Sequence, residues 1–145
     1  MIDNCEEQNI QPCSVDLRLG SLFITKAKGV VDIEQNPPKV KEVKLPYIIK
    51  PGEFILGKTI ESMNQKHTKY GAIAVPRSRA FRMGLHIMCG LVHPYYKGEC
   101  VFGIKNLSEN RIRLSKGMSL LQLCFFEIKS DCVPLKHRYQ NGRLM

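Results

Sequence analysis

The apolar residues of this chain fall in short, strand-length segments divided by turn residues, and this pattern constrains the fold more than any other feature. From Val15 the side chains alternate between apolar and polar, which is the period of a β-strand. Similar segments lie at 54–60, 70–76, 91–92, 99–105, 111–114 and 120–128. One short helix is predicted over 78–85, closed by Gly84. Many short strands with frequent turns predict an all-β barrel or sandwich.

The length of the chain predicts one domain. It has 145 residues, and its apolar runs are far shorter than the ~20 residues that a membrane span needs. The N-terminal residues are acidic and polar, so we expect no signal peptide and no membrane anchor, and a cytoplasmic protein. We predict a single domain over 1–134 and a basic C-terminal tail over 135–145. The Lys-rich segment 26–46, which contains two consecutive prolines, is predicted to form edge strands and a turn.

The charge of the chain favours anionic partners. Lysine and arginine number 22 against 13 acids, which gives a formal charge of +9. Such a field raises the local concentration of nucleotides, nucleic acid or phosphorylated metabolites, without choosing among them. A solvated basic surface with no cognate anion is the alternative.

Cysteine and histidine spacing gives no sign of a metal site. The six cysteines form no CxxC pair, and the four histidines are equally dispersed. We expect free thiols and no metal cluster.

Five segments carry a specific resemblance. They are QPCSVDLRLG (11–20), KPGEFILGKTIES (50–62), PRSRAFRMGL (76–85), VHPYYKGECVFGIKN (92–106) and SKGMSLLQLCFFEI (115–128). In this order and spacing the chain resembles the dCTP deaminase/dUTPase superfamily, and the deaminase branch most closely. The resemblance implies a distorted jelly-roll β-barrel that forms a homotrimer, with a nucleotide site at each subunit interface.

The same resemblance supplies candidate substrate-binding residues. Arg77 and Ser78 match the family's Arg-Ser motif, which implies contacts to the triphosphate through a guanidinium fork and a hydroxyl. Arg82 matches an arginine that deaminases place near the reacting base. Arg79 replaces a small residue and adds a charge, and Gln122 belongs to the G-M-x-x-x-Q-L segment of the site. The alternative for the arginines is an Arg-rich surface turn.

Asp16 has two possible roles under this resemblance. In the dUTPase branch the matching aspartate organises the magnesium–triphosphate end of the site, whereas in deaminases it equally often ties down the first strand. If Mg²⁺ enters with a bound nucleotide, phosphate oxygens and water would hold it, with Asp16 acting through water and no direct protein ligand.

Two departures from the family concern the chemistry. The glutamate that activates water in deaminases falls at Gly103, which cannot exchange a proton. Glu99 lies on the same strand about 13 Å away, at ~3.3 Å per residue. The carboxylate of the dUTPase branch falls at His93, whose imidazole either serves as a replacement base near pH 7 or is a tolerated substitution.

The tail also resembles the family in part. Arg138, Tyr139 and Gln140 are similar to the Lys-Tyr-Gln stretch that deaminases fold over the triphosphate as a lid. Arg138 would then keep the charge and Tyr139 would pack on the nucleotide. A disordered basic tail is the alternative.

Three functions follow as hypotheses. The first is a homotrimer that binds a nucleoside triphosphate without the family's catalysis and that sequesters it, senses it or acts on a protein partner. The second is an active dCTP deaminase or dUTPase with displaced residues such as His93 or Glu99. The third, a nucleic-acid binder, has the weakest support because the chain shows no RNP-like or helix-turn-helix pattern. An apolar stripe of Leu121, Leu123 and Phe125 is read either as a trimer contact or as monomer core.

Overall fold

The computed structural model describes residues 1–26, 29–32, 37–64, 69–133 and 139–145. Within these ranges the chain forms eleven strands, one short α-helix and two 3₁₀ turns. The strands are β1 (Ile2–Asp3), β2 (Val15–Thr25), β3 (Val40–Val43), β4 (Tyr47–Ile49), β5 (Phe54–Asn64), β6 (Tyr70–Pro76), β7 (Leu85–Met88), β8 (Leu91–Val92), β9 (Lys97–Asn106), β10 (Ile112–Leu114) and β11 (Ser119–Glu127). The helix α1 is Ser78–Arg82, and the 3₁₀ turns are Glu7–Asn9 and Gln140–Gly142.

Most strands belong to one curled antiparallel sheet. Its order is β7-β9-β5-β2-β11-β6-β8, with β1 added to β5 and β3 added to β2. The strands β4 and β10 form a separate two-stranded ribbon. The predicted all-β architecture is therefore confirmed. Within the described ranges, no helix has the length and hydropathy of a membrane-spanning segment.

Alternate residues of the long strands build the core. Leu17, Leu19 and Leu22 of β2 are at most 1% exposed, and so are Leu121 and Leu123 of β11. The last two belong to the stripe that the sequence offered as a trimer contact. Because β11 lies between β2 and β6, this part of the stripe is core of the single chain, and its reading as a trimer contact was wrong for both leucines.

The predicted helix is shorter in the structure than in the sequence pattern. It ends at Arg82, and Gly84, with a φ of +88°, turns the chain so that Leu85 begins β7. Leu85 and Ile87 are buried and their strand pairs with β9. The gain from this pairing and burial overrides the local preference for another helical turn.

A buried ion pair holds the N-terminal segment against the sheet. The carboxylate of Glu61, 1% exposed, accepts hydrogen bonds from the backbone N–H of Arg18 at 2.7 Å and from its Nε at 2.6 Å. The same guanidinium pairs with Glu6 and donates to the carbonyl of Asn4 at 2.9 Å. One arginine thus links β2, β5 and the residues before β2.

Candidate functional site

An ion pair between Arg77 and Asp16 lies where three central strands come together. Asp16 is on β2, 5% exposed, and its Oδ2 accepts from Nη1 of Arg77, which directly follows β6. The backbone N–H of Arg77 donates to the carbonyl of Leu120 at 2.9 Å, which anchors the end of β6 to β11. The arginine predicted to bind phosphate is therefore held in place by a buried carboxylate.

The second carboxylate oxygen of Asp16 has no donor among the described residues. Oδ1 is buried and makes no hydrogen bond there. Gln122, directly opposite Asp16 on β11, instead accepts a hydrogen bond from the hydroxyl of Ser14 at 3.3 Å. A buried acceptor without a donor costs about 1–3 kcal/mol, so this oxygen favours an incoming donor such as a metal-bound water.

The residues present fit magnesium only in the indirect way that the sequence suggested. The described ranges contain no group of three or more His, Cys, Asp or Glu side chains that could hold a metal ion. Asp16 offers one unsatisfied oxygen, and Mg²⁺ keeps several waters and takes phosphate oxygens readily. Asp16 would therefore hold the ion through water, and a nucleotide would supply the other ligands.

A cavity of about 890 Å³ opens beside this ion pair. It lies between α1, β10 and the start of β11, and Asp16, Arg77, Arg79, Arg111 and Arg113 are on its walls. Arg111 and Arg113 were not among the phosphate ligands predicted from the sequence. Their spacing of two, on either side of Ile112, was the available signal, because such residues share one face of a strand.

Two predicted phosphate ligands lie outside this lining. Ser78 and Arg82, at the two ends of α1, are exposed, and neither is among the described residues that line the cavity. Of the Arg-Ser motif and its neighbours, the structure therefore brings Arg77 and Arg79 together with Asp16, with Gln122 on the adjacent strand.

A second, smaller pocket of about 300 Å³ forms between β8, β9 and the C-terminal residues. Tyr96, Tyr139 and Arg143 lie on its walls, together with Gly90–Val92. Burial is the main cause that raises the pKa of Tyr96 to about 12. Within one chain, Tyr139 therefore lies in a different cavity from Arg77.

The last residues of the chain are docked against the turn before β9. The backbone N–H of Lys97 donates to Oε1 of Gln140 at 2.9 Å, and Nε2 of Gln140 donates to the carbonyl of Tyr95 at 3.3 Å. The predicted lid residue Arg138 and the predicted domain boundary at residue 134 lie outside the described residues.

The position predicted for the general base is covered by apolar side chains. Gly103 on β9 pairs with Leu56 of β5 and Met88 of β7. A Cβ at Gly103 would lie 3.0 Å from Cε2 of Phe54 and 3.1 Å from Cε of Met88. A side chain at this position would require these two neighbours, each 38% exposed, to shift by a few tenths of an ångström.

The two substitute bases occupy separate places. His93 directly follows β8, and its carbonyl accepts from the backbone N–H of Tyr96 at 3.2 Å. Glu99, in β9, lies under the C-terminal turn, where a Cβ on Gly142 would overlap its carboxylate. Neither is among the described residues that line the cavity of Arg77.

Comparisons with known proteins give the family. The model of the dCTP deaminase-like family matches residues 1–128. A dUMP-forming dCTP deaminase of Dictyoglomus thermophilum is 32% identical over 141 residues, which cover 89% of this chain and 71% of that protein. The Agrobacterium tumefaciens 2'-deoxycytidine 5'-triphosphate deaminase superposes with a TM-score of 0.66 at 19% identity, covering 84% of this chain and 41% of that longer one.

A dUTPase shares the fold over nearly its whole length. A mutant dUTPase from phage phi11 of S. aureus, a protein that coordinates a structural Mg(II) ion, gives a TM-score of 0.57 at 13% identity, covering 94% of this chain and 96% of that one. The predicted dUTPase-like jelly roll is thus confirmed. From its match over residues 1–128, the chain belongs to the dCTP deaminase-like family.

Proposed function

We propose that this protein is a cytoplasmic homotrimer that binds a nucleoside triphosphate without the family's deamination or dUTP hydrolysis, and that it sequesters or senses that nucleotide. The observation that carries the proposal is the apolar cover over Gly103. In the proposed arrangement, residues 1–134 form the nucleotide-binding domain and residues 135–145 form a tail that closes on it.

The absence of a general base at Gly103 supports a protein without the family's catalysis. A general base must stand within about 3 Å of the proton that it takes, directly or through one water. Gly103 has no side chain, and Phe54 and Met88 fill the space beside it with carbon. Loss of such a base lowers a rate by about 10² to 10⁴. The aspartate that would replace it in the dUTPase branch is absent too, because His93 stands there.

The charged side chains around Arg77 support binding of a triphosphate. Arg77 is positioned by Asp16, Arg79 shares the same cavity, and Gln122 lies on the neighbouring strand. The guanidinium fork suits phosphate oxygens. The free Oδ1 of Asp16 would accept a hydrogen bond from a water molecule bound to the Mg²⁺ of a nucleotide. That ion would neutralise part of the phosphate charge.

Exposed apolar side chains support the homotrimer. Ile73 on β6 is 46% exposed, and its paired residue Leu91 on β8 is 52% exposed. Phe126 on the adjacent β11 is 39% exposed. A contiguous apolar patch of this kind marks an interaction surface. Sedimentation at micromolar concentration is expected to give a trimer, which Ile73→Asp with Leu91→Asp dissociates; a monomeric wild type would contradict the proposal.

One observation favours the second candidate, an active enzyme. The chain is 32% identical to a dUMP-forming dCTP deaminase. In that case His93 would act as the base beside the pocket that Tyr96 lines, or Glu99 would act after the C-terminal turn has moved away.

Turnover separates the two candidates. Purified protein is incubated with dCTP or dUTP and Mg²⁺, calorimetry measures binding, and assays follow ammonia, dUMP and pyrophosphate. We expect binding without product above background. Robust turnover that His93→Ala or Glu99→Ala abolishes, and that the matched control His86→Ala on the exposed side of β7 retains, would establish the enzyme instead.

A further inference from the structure

The wall of the large cavity that faces Arg77 is itself basic. Arg113 of β10 and Arg111, which directly precedes that strand, lie on that wall together with Arg79 of α1. The other lining side chains are polar and neutral or apolar, apart from Asp16. Four guanidinium groups thus share one concave surface with a single carboxylate.

Among the residues that the structure describes, one of these four cations has an acidic partner. Arg77 pairs with Asp16. Within the described part of the chain the side chains of Arg79, Arg111 and Arg113 make no ion pair and no hydrogen bond, and all three residues are exposed. Like charges directed at one cavity repel each other unless an anion lies between them.

The ribbon of β4 and β10 holds two of these arginines in position. Ile112 pairs with Ile49, which is fully buried, and Leu114 is fully buried as well. These anchors fix the backbone of β10, so that Arg113 extends from a paired strand and Arg111 from the residue directly before it. A preorganised arginine loses less entropy for each hydrogen bond that it forms to phosphate.

We infer that Arg79, Arg111 and Arg113 form a polyphosphate-binding wall, which holds the distal phosphates of a chain of three or more whatever base it carries. The inference deepens the proposed function and rests on it in one respect, the placement of the nearer phosphates at Arg77. Arg111 and Arg113 would then set the preference for triphosphate over shorter phosphate esters, because only a longer chain reaches them.

The test uses inorganic tripolyphosphate and pyrophosphate as probes, with dUTP and dCTP alongside, in calorimetry at low and moderate salt. The variant is Arg111→Gln with Arg113→Gln. The control is Lys41→Gln on exposed β3, which removes one cation outside the cavity. Each lost guanidinium–phosphate contact is expected to weaken tripolyphosphate binding about tenfold. Pyrophosphate binding and the Lys41→Gln variant should change by less than about twofold.

The outcomes distinguish this inference from the proposed function. If dUTP binds equally well to wild type and double variant, the polyphosphate wall is refuted while nucleotide binding stands. If tripolyphosphate binding depends on Arg111 and Arg113 but no nucleotide binds, the wall is supported and the proposed function is refuted. Oligonucleotides that bind more tightly than tripolyphosphate, with affinity rising with length, would overturn the inference in favour of nucleic acid.

Discussion

The backbones of Gly98 and Gly142 are in direct contact. A Cβ built on Gly98 would overlap the amide nitrogen of Gly142 and lie 2.6 Å from Cα of Asn141. Both glycines have a positive φ, +112° and +65°, a conformation that other residues adopt only at a cost. The C-terminal turn is therefore seated on the start of β9 through backbone surfaces that have no space for side chains.

Replacing Gly142 by alanine is expected to release the C-terminal turn. The new methyl group would overlap the carboxylate of Glu99 and lie 3.2 Å from its carbonyl oxygen. Limited proteolysis should then remove the last residues at least several times faster than in wild type, while the core remains resistant.

Gly117→Ala provides the matched control. Gly117 also has a positive φ, +86°, but no atom lies within 4 Å of the position that its Cβ would take. It thus carries the same backbone strain, of roughly 1 kcal/mol, without a clash. Equal protease sensitivity of the tail in both variants would show that the close packing of Gly142 on Glu99 does not hold the tail.

Arg77→Ala is expected to weaken binding of a nucleoside triphosphate by about 2–4 kcal/mol, the range for removing one member of a desolvated charge pair. Calorimetry measures the affinity. Because the substitution also leaves Asp16 buried without its partner, the double variant with Asp16→Asn should regain thermal stability without regaining affinity. Unchanged affinity in a folded Arg77→Ala protein would place the ligand elsewhere.

Restoring a carboxylate at Gly103 tests the apolar cover. Gly103→Glu alone should gain no deamination and should lower stability, because its Cβ would crowd Phe54 and Met88, whose carbon atoms offer the new carboxylate no hydrogen bond. Combined with Met88→Ala, which clears one neighbour, it should fold better and show ammonia release above the wild-type background. His93→Asp is the parallel variant for dUTP hydrolysis. Full activity of the single Gly103→Glu variant would show that the apolar cover is no barrier.

Glu61→Gln is expected to destabilise the fold by about 3–5 kcal/mol, the usual cost of removing one charge from a buried pair. The Glu61 carboxylate is fully enclosed and binds both the backbone and the guanidinium of Arg18. Urea denaturation measures the change. Glu42→Gln on the exposed face of β3 is the control and should stay within about 0.5 kcal/mol of wild type. A similarly small change for Glu61→Gln would mean that this pair contributes little to stability.

Alkaline pH should weaken the contact between β4 and the turn before β5. The hydroxyl of Tyr47 donates to the carboxylate of Glu53, and this hydrogen bond is the main cause that raises the pKa of Tyr47 from 10 to about 12. The folded state thus favours the protonated phenol, so its contribution to stability is complete below pH 10 and is lost between about pH 10 and 12. The free energy of unfolding, measured by denaturation at several pH values across that range, should fall less steeply with pH for Tyr47→Phe than for wild type. Equal slopes would contradict the assignment.

Strand periodicity anticipated much of the architecture. The alternation from Val15 and the segment Tyr70–Pro76 became β2 and β6 with nearly the predicted bounds, because a period of two needs no knowledge of the partner strand. The sequence pattern did not predict short strands such as β4 and β7. Three or four residues carry too little pattern, and only their pairing with β10 and β9 makes them strands.

For the candidate site, too, the sequence predicted individual residues but not the contacts between them. The resemblance to the dCTP deaminase/dUTPase superfamily singled out Arg77, Asp16 and the substituted Gly103, because those residues stand in the segments that carry it. That Arg77 pairs with Asp16 was not available from the sequence, because 61 positions separate them and only the order of β2, β11 and β6 in the sheet brings them together.

Local stretches of the chain were enough to predict the strand pattern, to recognise the family segments and to find a glycine at the position of the family's base. The surroundings of those residues come from the tertiary structure. It buried Leu121 and Leu123 in the core, placed Phe54 and Met88 over Gly103, and brought Arg111 and Arg113 to the cavity of Arg77. The physical reason is that burial and charge clustering depend on contacts between strands distant along the chain, and periodicity within one strand does not specify its partners.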